Sequence, residues 1–73
     1  MKVERLRKRD RRILEALKLM GGEASTRQIA IAADLNTNGV SQTLGVLASK
    51  GYVQPVGGER GDFLWRLQDL SNY

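Results

Sequence analysis

Thr37, Asn38, Ser41, Gln42 and Gly45 follow one another at the spacing that lines one side of an α-helix. Asn and Gln amides carry a donor and an acceptor side by side, which suits two-point bonding to adenine. Thr and Ser hydroxyls can donate or accept with several bases. Gly45 leaves room for a backbone to approach a ligand or another helix closely. It weakens a helix by about 1 kcal/mol relative to alanine. The plainer alternative is a wet helix face of ordinary polar residues. The row also lacks positive charge, because no Lys or Arg occurs in this segment before Lys50.

Charge lies elsewhere. Residues 1–20 hold eight Lys/Arg against three Asp/Glu, a net of +5, whereas residues 21–73 hold four against five, a net of −1. A basic arm on a nearly neutral body points to a polyanion partner, nucleic acid first. A solvated face that keeps a small protein in solution is the alternative. Within the arm, Arg5, Lys8, Arg9, Arg11 and Arg12 are the candidates for phosphate contact. They can serve only where the amino end of the first helix lies beside the ligand. Arg27 and Arg60 are the candidates outside it, and Arg66 and Lys18 are assigned to the solvated surface.

Other chemistries are closed by composition. The 73 residues contain no cysteine and no histidine. Disulfides, zinc sites and His-based acid–base catalysis are thereby excluded. Carboxylates are scattered singly, without the close pairing of a general acid and base. The expectation is a binding module, not an enzyme, with no cofactor and no metal. No apolar run approaches the roughly 20 residues of a membrane span, and the charged "MKVERLRKRD" is not followed by the apolar segment of a signal peptide. A cytoplasmic protein is expected, nucleoid-associated in a prokaryote or virus and nuclear in a eukaryote.

The elements that must position these residues are legible from periodicity. Val3, Leu6, Ile13, Leu14 and Leu17 give a first helix from about Val3 to Met20, with Asp10 as an alternative cap that would move the start to Arg11. Gly21 and Gly22 end it. Ser25 and Gln28 have capping-box spacing, so a short helix is expected from Thr26 to about Ala33. Ile29 and Ala33 share a face, and Ala30 and Ala32 are small enough to admit another helix. In "DLN", Asp34 follows the helix, Leu35 plugs the space between helices, and Asn36 caps a third helix running to about Lys50. Val40, Leu44, Leu47 and Ala48 form its buried stripe, and Gly51 ends it. The period then falls to two. "YVQPV" and "DFLWRL" form a hairpin around a five-residue "GGERG" loop, with Pro55 on an edge or at a strand end. Phe63, Trp65 and Leu67 alternate to one face, and Leu64 and Arg66 to the other.

This order resembles the winged helix-turn-helix superfamily across roughly Arg11 to Leu67. The residues that carry it are "STRQIAIAADLNTNGVSQTLGVLASKGYV" and the wing "QPVGGERGDFLWRL". "LASKGYV" resembles that superfamily's Leu-x-x-x-Gly exit into the wing. The resemblance implies an α+β, mainly α, domain of three helices and a C-terminal β-hairpin wing. It spans 1–73, with 1–10 as a basic extension of helix one and 68–73 as a tail. It also implies a recognition helix that enters the major groove of double-stranded DNA. The scaffold serves elsewhere as a protein-docking module, which remains the alternative. The ending "DFLWRL" is similar to the Z-form nucleic-acid binding branch, which reads the zigzag backbone with an Asn and a Tyr four residues apart. Those positions are Ser41 and Gly45 here, so the aromatic is missing and Trp65 is expected to pack in the core or under the wing. The expected function is sequence-specific DNA binding by a small transcriptional or replication regulator. Val46, Leu70 and Tyr73 are left over from the core, and a homodimer on paired half-sites is compatible with them.

Overall fold

A computed structural model describes residues 6–68. The elements run α1 (Lys8–Leu19), β1 (Glu23–Ser25), α2 (Thr26–Ala33), α3 (Thr37–Ser49), β2 (Val53–Glu59) and β3 (Asp62–Leu67). The strands form one antiparallel sheet in the order β1-β3-β2. The architecture is α+β, mainly α: three helices and a carboxy-terminal hairpin.

Each helix end has a local cause. Asp10 is not the cap of α1. It lies inside the first turn and reaches back, accepting the Arg7 backbone N–H at 3.0 Å. The helix therefore starts at Lys8, between the two starts the periodicity allowed. Val3 and Arg5 lie outside the described residues. At α2 the expected reciprocal cap is present: the Gln28 N–H donates to Ser25 Oγ at 3.2 Å, and the Ser25 N–H to Gln28 Oε1 at 3.1 Å. At α3 the Asn36 side chain accepts the Asn38 N–H at 2.9 Å.

All three helices stop in the same way. The backbone N–H groups of Gly22, Leu35 and Tyr52 reach back to the carbonyls of Leu17, Ala30 and Leu47, each at 2.9 Å. This is the Schellman arrangement, which requires a left-handed residue at the turn. Gly21 and Gly51 supply it without strain, and Asp34 adopts it at φ 58° as the one non-glycine in that region among the described residues. The residue after each reversal then folds inward at two of the three sites: Leu35 packs against the core and Tyr52 is buried.

The core gathers Ile13, Leu14 and Leu17 of α1, Ile29, Ala30 and Ala33 of α2, and Val40, Leu44 and Leu47 of α3, over Ala24, Val53 and Trp65 of the sheet. Ala48 is half-buried at its margin. Of the two small residues expected to admit a neighbouring helix, Ala30 is buried and Ala32 is exposed. Residues i and i+2 lie about 200° apart around a helix axis, so Ala30 and Ala32 cannot share a face.

The sheet departs most from expectation. Strand β1 is not apparent in the sequence: its three residues are a strand by virtue of pairing with β3, Ala24 lying opposite Trp65. The "GGERG" loop is also tighter than five residues. β2 continues to Glu59, which pairs with Asp62 and leaves Arg60 and Gly61 as a two-residue turn. The extra length is absorbed by a bulge at Val56, between the Pro55–Trp65 and Gly57–Leu64 pairs. Pro55 is on the edge strand, as its missing N–H demands. Gly58 sits at φ 90°, and a Cβ there would lie 2.6 Å from the Leu64 backbone nitrogen. Phe63 does not share the burial of Trp65. It pairs with Gly58, one residue beyond the last β3 residue that β1 covers, and remains 45% exposed. Its ring meets that of Trp65 edge-on, with centroids 6.3 Å apart.

Candidate nucleic-acid interface

Helix α3 separates two surfaces. Val40, Leu44 and Leu47 are fully buried. Thr37, Asn38, Ser41, Gln42 and Gly45 are all exposed, and no other part of the described chain covers them. A Cβ built on Gly45 would meet nothing within 4 Å. No packing among the described residues accounts for that glycine, so there the face is open to close approach from outside. Asn38 donates its backbone N–H to the Asn36 side chain, and its own side chain is exposed.

The charge missing from α3 comes from α1. Arg9 Nη1 lies 3.5 Å from the position a Cβ would take on Gly39. The amino end of α1 thus lies against the first turn of α3. Lys8, Arg9 and Arg11 are exposed there. Arg12 has a different task. Its Nη2 donates to the Ala33 carbonyl, at the carboxy-terminal end of α2. A cation at that end satisfies a carbonyl the helix cannot and complements the helix dipole. Arg12 therefore ties α1 to α2, and four residues of sequence spacing conceal nothing that distinguishes it from Lys8. Arg5 lies outside the described residues.

At the other side, Arg60 stands exposed at the hairpin tip and Arg27 is exposed at the start of α2. These two are brought near each other by the fold, since the Arg27 backbone N–H donates to Asp62 Oδ1 at 3.0 Å. Arg66, assigned to the surface, pairs with Glu23 at 3.1 Å across the β1–β3 pair. Both partners are largely solvated, so the bond adds little stability. Lys18 is exposed, as is Val46; Leu70 and Tyr73 lie outside the described residues.

Sequence reasoning missed Thr26. Its side chain is 1% exposed, the one buried polar residue described. Thr26 Oγ1 accepts from Trp65 Nε1 at 2.8 Å and donates to the Phe63 carbonyl at 3.3 Å. A threonine beside a capping serine gives no signal of its own. The Trp65 indole N–H, which needs an acceptor when buried, was the available hint.

Similarity to solved structures agrees with this geometry. The chain superposes on BpsR of Bordetella bronchiseptica with a TM-score of 0.80, at 17% identity over 94% of this chain and 53% of that one. It has the winged helix-turn-helix fold. The PcaV transcriptional regulator of Streptomyces coelicolor matches this winged helix with a TM-score of 0.77, at 22% identity, over 94% of this chain and 50% of that one. A MarR variant from E. coli, solved with operator DNA, matches at 0.59 and 16% identity over 85% and 56%. The winged helix thus spans about half the length of these solved chains. No family model matches the sequence, and no curated protein does. Among the described residues no helix is long and apolar enough to cross a membrane.

Proposed function

We propose that residues 1–73 act as one winged-helix domain that binds double-stranded DNA with base preference, as a transcriptional or replication regulator. The observation that carries this reading is the open polar face of α3 with Arg9 against its first turn. Thr37, Asn38, Ser41 and Gln42 read base edges from the major groove, and Gly45 lets the helix backbone come close. Lys8, Arg9 and Arg11 hold phosphates at one flank, while Arg27 and Arg60 hold them at the other. Arg12 is already engaged by the Ala33 carbonyl, so the phosphate contacts are assigned to the other five cations. The MarR variant of E. coli was solved with operator DNA, which supports the assignment.

Salt titration of binding to a random-sequence duplex tests it. One phosphate on each of those five cations gives a log–log slope of about −4.5. Absence of binding to any duplex at low salt rejects the proposal. Capture of a partner that survives nuclease treatment, together with that absence, would favour protein docking instead. Two copies on paired half-sites would appear as a second protein per duplex in sedimentation, at a half-site spacing of about one helical turn.

A further inference from the structure

We infer that Asp62 is a positioning residue that locks the wing tip to α2 and so sets where Arg60 stands; this rests on the DNA-binding reading above. Asp62 forms the last pair of the hairpin, with Glu59, and only the Arg60–Gly61 turn lies beyond it. Its carboxylate accepts the backbone N–H of Arg27, 35 residues away in sequence. That N–H belongs to the first turn of α2, where no carbonyl of the same helix can serve it. Ser25 satisfies the next one, at Gln28. The amino end of α2 is thus capped twice, once by its own neighbour and once by the wing. A carboxylate is well suited to that place, because the helix dipole favours negative charge there.

The adjacent residue makes the second fastening. The buried Thr26 hydroxyl donates to the Phe63 carbonyl and accepts from Trp65. Two consecutive residues of α2 therefore hold two consecutive residues of β3. Beyond Ser25–Leu64, β1 gives β3 no further pairing, so the tip rests on β2 alone apart from these bonds. β2 is an edge strand there with a bulge and two glycines. Without the Asp62 bond the tip can swing, and Arg60 loses its fixed place relative to Arg27.

The test compares Asp62→Asn, which keeps a side-chain acceptor, with Asp62→Ala, which does not. Both remove one negative charge near the duplex, so their difference isolates the fastening. With Arg60 present, Asp62→Ala should bind duplex DNA about five-fold more weakly than Asp62→Asn, and in an Arg60→Ala background the two should agree within about two-fold. Equal affinities in the first pair, or the same gap in both backgrounds, overturns the inference. Should Asp62→Ala melt below the assay temperature, Asp62→Glu replaces it; compared with the native chain it should lose affinity only when Arg60 is present. If the native chain binds no duplex, the DNA reading fails while the fastening is read in the free protein. The backbone order parameters of Arg60 and Gly61 should then fall from about 0.85 towards 0.6 in Asp62→Ala but not in Asp62→Asn. Unchanged order parameters overturn it.

Discussion

Gly58 and Gly45 have the same side chain and opposite meanings. At Gly58, in β2, an added Cβ would strike the backbone of β3 at 2.6–2.7 Å, on a residue already at φ 90°. At Gly45, on the outer face of α3, it would meet open space. The first glycine is demanded by the fold. The second weakens its helix, and nothing among the described residues compensates. Near the hairpin tip residue choice therefore answers to packing, whereas on the outer face of α3 no contact among the described residues dictates it. Thr26 and Thr37 repeat the contrast: the first is sealed between α2 and β3, and the second is exposed at the start of α3.

Five substitutions sharpen or break that contrast. Gly58→Ala should be the most damaging, since it combines left-handed strain with a backbone clash. Thermal melting should show a loss of about 3 kcal/mol or more, and a loss under about 1 kcal/mol would mean that the two strands are not close-packed near the hairpin tip. Gly45→Ala should move the other way and stabilise by about 1 kcal/mol, the helix-propensity difference. The same variant should weaken duplex binding, because the added methyl stands where the groove approaches. A stabilised variant with undiminished binding would remove Gly45 from the interface. Gln42→Ala and Asn38→Ala should change stability by no more than about 0.5 kcal/mol. Selection from a random duplex library should nonetheless show flattened base preference for both, whereas Arg60→Ala should weaken all sequences alike. Unaltered preference in both amide variants would place base reading elsewhere.

The α3 face was legible because its signal is local and repeated. Four buried or half-buried aliphatics at i, i+4, i+7 and i+8 fix which side of the helix is inward, and the polar row follows by geometry. The cations were not separable in the same way. Arg9 and Arg12 occupy one arm of similar composition, yet one guanidinium borders Gly39 and the other holds the Ala33 carbonyl. Long flexible side chains choose partners that are distant in sequence, and spacing along α1 does not encode that choice. Phe63 illustrates the same limit. Strand alternation put it with Trp65, but only the ends of β1 decide how far along β3 the cover extends.

By itself the chain of letters determined where α2 and α3 begin and where all three helices end, but it left the start of α1 open between Val3 and Arg11. Caps, capping boxes and left-handed stops act over three to five residues, so the physical interaction and its sequence pattern have the same reach. It also determined which side of each helix is apolar, because burial follows a period set by backbone geometry. Tertiary structure alone decided that Glu23–Ser25 is a strand, since three residues are too few to show a period and their strand pairing is with the distant β3. It decided the two-residue wing turn, where pairing across a bulge outweighed the looseness suggested by three glycines. It also decided which partners the arginine side chains take, because those bonds join residues 21 to 43 positions apart and exist only once the helices and sheet have packed.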